Sequence, residues 1–211
     1  MCGIVGYIGN REAYPILIDG LSALEYRGYD SAGIALVDKG KLVVYKSKGK
    51  VDVLKKLMEK KPKKGTIGIA HTRWATHGVP SNANAHPHCD CQNKIALVHN
   101  GIIENYTVLK DQLKKEGVVF KSETDTEVLA QLVGKHYTGD LVEAVLGALE
   151  HIEGTFGIAV VAQDNPDVLV GARRGSPLVV GLGDGEFYLA SDSSAIVRHT
   201  KRVIYLKDNN L

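Results

Sequence analysis

The stretch Phe156-Gly157-Ile158-Ala159-Val160-Val161-Ala162, followed by Asn165-Pro166-Asp167 and then Val168-Leu169-Val170-Gly171-Ala172-Arg173, holds the longest apolar run of the chain. That run is far short of the eighteen or so residues needed to cross a bilayer, and it is the right length for a buried strand. Asparagine, proline and aspartate in succession favour a tight reversal, because proline fixes φ and the flanking side chains bond their own backbone. Two apolar runs joined in this way are expected to pair as antiparallel neighbours. Asp38-Lys39-Gly40 and Asp184-Gly185 separate similar runs, and 23 of 211 residues are glycine, above the usual share of about 7%. The spacing predicts strands at 4–8, 33–37, 42–46, 66–71, 95–99, 156–162, 168–173, 178–182, 186–190 and 202–206.

Helical periodicity appears at 14–25, 51–60, 105–116, 126–136 and 140–151. Hairpin strands interspersed with helices, with no repeat and no Pro/Ser-rich linker, indicate α+β layers in one domain spanning 1–211. Lysine and arginine total 26 against 24 acids, a formal charge of +2, so no basic field points to nucleic acid or an anionic membrane. The lysine-rich runs 60–64 and 110–115 are read as solvated faces. No positive region precedes the first apolar residues, which argues against a secretory signal and for a cytoplasmic protein. Three cysteines, Cys2, Cys89 and Cys91, suit reduced thiols better than a disulfide framework.

Four segments can carry chemistry. Removal of Met1 would leave Cys2 with a thiol and a free α-amine on one residue, and an amine of pKa about 7.7–8.0 can accept a thiol proton near neutral pH; otherwise Cys2 is only a small residue ahead of a buried strand. His71-Thr72-Arg73-Trp74-Ala75-Thr76-His77-Gly78 runs from a strand end into a long loop. There Arg73 offers a planar fork for a carboxylate and Trp74 a shield from water, or the two are a surface cation and a core aromatic. His71 and His77 read as proton-transfer groups or as hydrogen-bonded structural histidines. His99-Asn100-Gly101 reads either as a pair of oxyanion donors or as an Asn-Gly turn at a strand end. In Ser122-Glu123-Thr124-Asp125-Thr126, Asp125 could hold an ammonium group or cap the following helix.

Together these segments resemble the glutaminase domain of the glucosamine-6-phosphate synthase family, class II glutamine amidotransferases of the N-terminal nucleophile hydrolase superfamily. The resemblance spans essentially the whole chain. It rests on Cys2 to Gly6, Leu24-Glu25-Tyr26-Arg27-Gly28-Tyr29-Asp30-Ser31-Ala32-Gly33, His71 to Gly78, Asn84-Ala85-His86-Pro87-His88, His99 to Asn105, Ser122 to Glu127 and Arg174-Gly175-Ser176-Pro177-Leu178. It implies a four-layer αββα sandwich, Cys2 as nucleophile, and Asn100 with Gly101 as oxyanion hole. Arg73 and Asp125 would grip the α-carboxylate and α-amine of L-glutamine, with Thr76 and His77 lining the pocket. His86 would order a lid loop, Arg27 would help hold the amino terminus, and Trp74 resembles a gate toward an ammonia channel. No cofactor or metal is implied. Longer family members continue into sugar-isomerase halves that bind fructose 6-phosphate, so an isomerase half is expected on the same or another chain, and a homo-oligomer is possible.

Three rival readings remain. Phosphoribosyl-pyrophosphate amidotransferases and asparagine synthetases share the Cys2 logic, although the 24–33 and 71–78 segments favour the hexosamine branch. His86, His88, Cys89 and Cys91 could form a metal module, but a single compact run wraps a tetrahedron poorly. A catalytically silent interaction domain is the third.

Overall fold

The computed structural model describes residues 2–61, 64–74 and 78–211, without the side chain of Arg27. The chain forms β1 (Gly3–Ile8), α1 (Ala13–Leu24), β2 (Ser31–Asp38), β3 (Lys41–Lys48), α2 (Val51–Met58), β4 (Ile67–Arg73), β5 (His88–Cys89) and β6 (Ile95–Ile103). Then follow α3 (Tyr106–Lys115), α4 (Asp125–His136), α5 (Leu141–Leu149), β7 (Gly154–Ala162), β8 (Leu169–Arg174), β9 (Val179–Leu182), β10 (Phe187–Ala190) and β11 (Val203–Tyr205). Short 3₁₀ turns occupy Glu25–Arg27 and Ser193–Ala195. The strands build a seven-stranded sheet in the order β11-β9-β10-β1-β4-β2-β3 and a four-stranded sheet in the order β5-β6-β7-β8. The three expected reversals all join antiparallel neighbours: β2 with β3, β7 with β8, and β9 with β10.

Strand alternation explains the layers. Successive side chains point to opposite faces, so Val5 and Tyr7 of β1 pack with α1, while Ile4 joins Ala35, Val37, Ile67 and Ile69 between the sheets. From the opposing sheet, Ala96, Val98, Ala159 and Val161 enter the same inter-sheet core. Ile95, Leu97, Ile158 and Val160 face α4 and α5. With both faces of each sheet covered, the strands read as nearly continuous apolar runs rather than as half-polar alternation. Each such side chain contributes on the order of 1.5–3 kcal/mol on burial. The result is the αββα sandwich that the family resemblance implied.

Two boundaries differ from the sequence reading in ways that matter. β4 runs through Arg73, and β6 continues to Ile103, so Asn100 and Gly101 lie inside a strand rather than at an Asn-Gly turn. The cause is β7, which begins at Gly154 and pairs Asn100↔Gly157 and Gly101↔Phe156, giving the extra residues of β6 a ladder to follow. The two-residue β5 falls in the loop before Lys94 that showed no pattern, being too short to carry a period.

Candidate active site

The periodicity that builds the inter-sheet core also builds the site. Counting by twos from Ile4 leads to Cys2, from Ile67 and Ile69 to His71 and Arg73, and from Ala96 and Val98 to Asn100. These polar side chains therefore share the inner faces of the two sheets and occupy one end of the core. The β1–β4 register, Gly3 opposite Thr72, brings Cys2 beside the Arg73–Trp74 backbone. Trp74 N–H donates to Cys2 Sγ at 3.2 Å, and the thiol lies 3.5 Å from Trp74 O. Burial raises the thiol pKa, opposed by the Trp74 backbone hydrogen bond, so the resting group is a thiol that needs a base.

Asn100 Nδ2 donates to the Cys2 carbonyl at 3.1 Å, while its Oδ1 lies 3.0 Å from His71 Nε2. An amide nitrogen has two hydrogens, so one remains after the Cys2 bond. Gly101 has φ of +133°, and a Cβ there would stand 2.1 Å from Thr155 O; only glycine lets the backbone of β6 take this path beside the cleft.

The far end of the cleft is held by the last residue of β4, the loop it leans on and a helix start. Arg73 is buried and its Nη2 donates to Gly78 O at 3.2 Å. Asp125, the first residue of α4, is buried; its Oδ2 accepts Ile103 N–H at 2.9 Å and lies 4.0 Å from His99 Nδ1. Thr124 caps the helix by accepting Glu127 N–H, and the Glu127 carboxylate accepts Lys121 N–H, Ser122 N–H and the Ser122 hydroxyl. Asp125 thus stands in the first turn without being the cap. The capping role expected as one alternative for Asp125 falls to Thr124, and Asp125 lines the cleft.

These groups surround a cleft of about 360 Å³ lined by Cys2, Arg73, Trp74, Asn100, Gly101 and Asp125, among others, large enough for a small metabolite. Trp74 is half exposed and meets Tyr29 edge to face at 5.5 Å; it is not a core aromatic. His86 is buried, stacks on His71 at 4.1 Å and accepts His99 N–H through Nδ1 at 3.4 Å. Thr76, His77 and Met1 lie outside the described residues, as does the side chain of Arg27.

The sequence reading missed how the loop around Asn84 is seated against Glu123. Asn84 Nδ2 donates to Glu123 Oε2 and to Val79 O, and Glu123 N–H returns to Asn84 Oδ1. The amide and the carboxylate come from motifs far apart in sequence, and no local spacing links them. Among the described residues no group of three or more His, Cys, Asp or Glu is placed to hold a metal ion. In the suspected module, His88 is spent on Thr124 Oγ1, and Cys91 is exposed.

A family model described as a glutamine amidotransferase domain matches residues 58–211. The chain belongs to the glutamine amidotransferase domain family. Among named relatives, the chain is 56% identical over its whole length to glutamine–fructose-6-phosphate aminotransferase (isomerizing) of Aquifex aeolicus, and 54% identical to that of Caldanaerobacter subterraneus. It spans 36% and 35% of their lengths, about a third of the curated relatives it matches. Among solved structures, the glutamine phosphoribosylpyrophosphate amidotransferase of B. subtilis, complexed with ADP and GMP, superposes with a TM-score of 0.82 at 30% identity, covering 98% of this chain and 45% of that one. A class-II glutamine aminotransferase domain protein from Silicibacter pomeroyi shares the fold at TM-score 0.64 and 16% identity, covering 98% of this chain and 92% of that one. The amidotransferase fold is thus the sandwich described above, and no helix among the described residues is long and apolar enough to cross a membrane.

Proposed function

We propose that this chain hydrolyses the side-chain amide of L-glutamine to glutamate and ammonia, as the ammonia-supplying domain of a glutamine–fructose-6-phosphate aminotransferase. The observation that carries the reading is one cleft holding the Cys2 thiol, an amide donor at Asn100, and a buried guanidinium and carboxylate at Arg73 and Asp125. A zwitterionic amino acid needs that last pair, and its side chain then reaches the thiol end.

With Met1 removed, the α-amine of Cys2 takes the thiol proton as Sγ attacks the amide carbon. The C=O electron pair moves onto oxygen, where the free hydrogen of Asn100 Nδ2 and the Gly101 N–H stabilise it. These donors act on charge that exists only after attack, so they lower the barrier rather than tighten binding. The tetrahedral species collapses by breaking the C–N bond, and the proton held by the α-amine leaves with ammonia. Water then cleaves the thioester, with the amine again as base, and glutamate departs. Arg73 and Asp125 would hold the α-carboxylate and α-amine, with Thr76 and His77 completing the pocket. Arg27 would steady the amino terminus, His86 would order the lid, and Trp74 would stand at the ammonia exit.

The hexosamine branch is supported by identities of 52–56% to aminotransferases named for fructose 6-phosphate, against 30% for the phosphoribosylpyrophosphate amidotransferase of B. subtilis and 31% for a solved allosteric regulatory enzyme of purine biosynthesis. The acceptor would bind an isomerase half beyond the residues described here. Equal release of ammonia and glutamate, with a glutamine-like electrophile labelling Cys2, supports the reading; label found chiefly on Cys89 or Cys91 overturns it.

A further inference from the structure

Four histidines are buried at the cleft, His86 and His99 in its lining and His71 and His88 behind it. Three are tied to groups that line or flank it: His86 to His99 N–H, His88 to Thr124 Oγ1, and His99 to Thr126 Oγ1 and Thr155 O. His71 instead meets Asn100, across the gap between the sheets. The Cys2 carbonyl can only accept, so the Asn100 nitrogen must face it, and the Asn100 oxygen must face His71. Nε2 of His71 therefore carries the ring proton. Nδ1 is buried without a well-formed hydrogen bond, and the His99 backbone lies near the ring.

We infer that His71 is a positioning residue of glutamine hydrolysis, its Nε2–H holding Asn100 Oδ1 so that the amide keeps its nitrogen toward Cys2 and the cleft. The inference rests on the glutaminase reading. An amide free to rotate would present an oxygen lone pair, instead of an N–H, to the oxygen that becomes negative, turning stabilisation into repulsion. His71 does not serve as a base in this arrangement, because Nε2 is committed to Asn100 and a second proton would have to sit on buried Nδ1. Burial, aided by the charge of Arg73, lowers its pKa to about 3, so the ring stays neutral wherever the enzyme works.

The test uses the Met1-free chain and its His71→Leu and His71→Gln variants, with Cys2→Ala as control. Leucine keeps volume without a donor; glutamine can place an N–H near the Nε2 position. His71→Leu should lower kcat by about ten- to a hundredfold, short of the loss from deleting an oxyanion donor itself, with KM for glutamine within about twofold. His71→Gln should recover kcat to within about threefold of wild type. In an Asn100→Ala background His71→Leu should change kcat by less than about twofold, because the two act as one unit. Full additivity, or a loss confined to KM, overturns the inference. If the leucine variant does not fold, ¹⁵N imidazole spectra of the wild type decide: a neutral ring protonated at Nε2 at pH 7 supports it, and an Nδ1–H tautomer or a cation overturns it. Wild-type chain that neither releases ammonia nor reacts at Cys2 would bring down the glutaminase reading itself, an outcome distinct from any failure confined to His71.

Discussion

The thiol end of the cleft is assembled from the ends of strands in two packed sheets, whereas the end lined by Arg73 and Asp125 combines the last residue of β4 with a loop and a helix start. Cys2 and His71 belong to or adjoin the seven-stranded sheet and Asn100 to the four-stranded one, each continuing an apolar row of the inter-sheet core. Arg73 leans on Gly78 O, and Asp125 is set by the capped first turn of α4 and by a loop that Asn84 and Glu123 clasp. A rigid end suits chemistry in which a donor must already be in place when charge develops. An end closed by loops suits admission and release of substrate. Damage at the first should fall on kcat, and damage at the second on KM.

Cys2→Ala should abolish glutamine hydrolysis, while the double variant Cys89→Ala, Cys91→Ala keeps most of it. Burial pushes the Cys89 thiol up to about 11, and neither of these thiols shares a residue with an α-amine. Asn100→Ala should lower kcat by about a hundred- to a thousandfold with KM little changed. If steady-state kinetics show only KM moving, the strand-built end is not the oxyanion site and the contrast fails. Arg73→Ala should raise KM, costing about 2–3 kcal/mol, roughly thirty- to a hundred-and-fiftyfold in kcat/KM. A pure kcat effect would place Arg73 at the wrong end of the comparison.

The buried histidines give the thiol end a pH signature in stability. His71 has a folded-state pKa of about 3 against about 6.5 in the unfolded chain, so between those values the unfolded state binds the extra proton. Stability is then full above pH 6.5 and falls as pH drops, by up to about 1.4 kcal/mol per pH unit for this one ring. Burial holds His86 and His88 low as well, which steepens the slope. Urea denaturation at pH 7 and pH 5 should show about 2 kcal/mol or more lost at the lower pH; equal stabilities would mean the rings are not buried neutral.

All ten long-range strand runs and all five helical segments expected from periodicity appear within a few residues, because both faces of each sheet are covered and the apolar runs carry the pattern directly. The residues that needed the structure are those whose meaning depends on another part of the chain. Asn100-Gly101 looked like a turn until the long β7 supplied its partner. His71 was ambiguous between base and structural residue, since nothing near it in sequence shows that Asn100 lies across the inter-sheet gap. The clasp of Asn84 and Glu123 is legible only once both loops are seated. Yet the alternation that places Ile69 and Val98 in the core also points, two residues on, at His71 and Asn100. A strand parity count alone could have proposed that they meet.

The claim that Cys2 supplies both nucleophile and base is tested most directly by ammonia release from two samples of one preparation, verified by intact mass as Met1-bearing and Met1-free. In the first, the Cys2 nitrogen is an amide and cannot accept a proton, and an ordinary buried thiol is only a few per cent ionised at most near pH 7. The account predicts that both samples have the same circular dichroism and thermal midpoint within error, and that only the Met1-free chain turns over glutamine. Comparable ammonia release from both would contradict it and assign the base to another group.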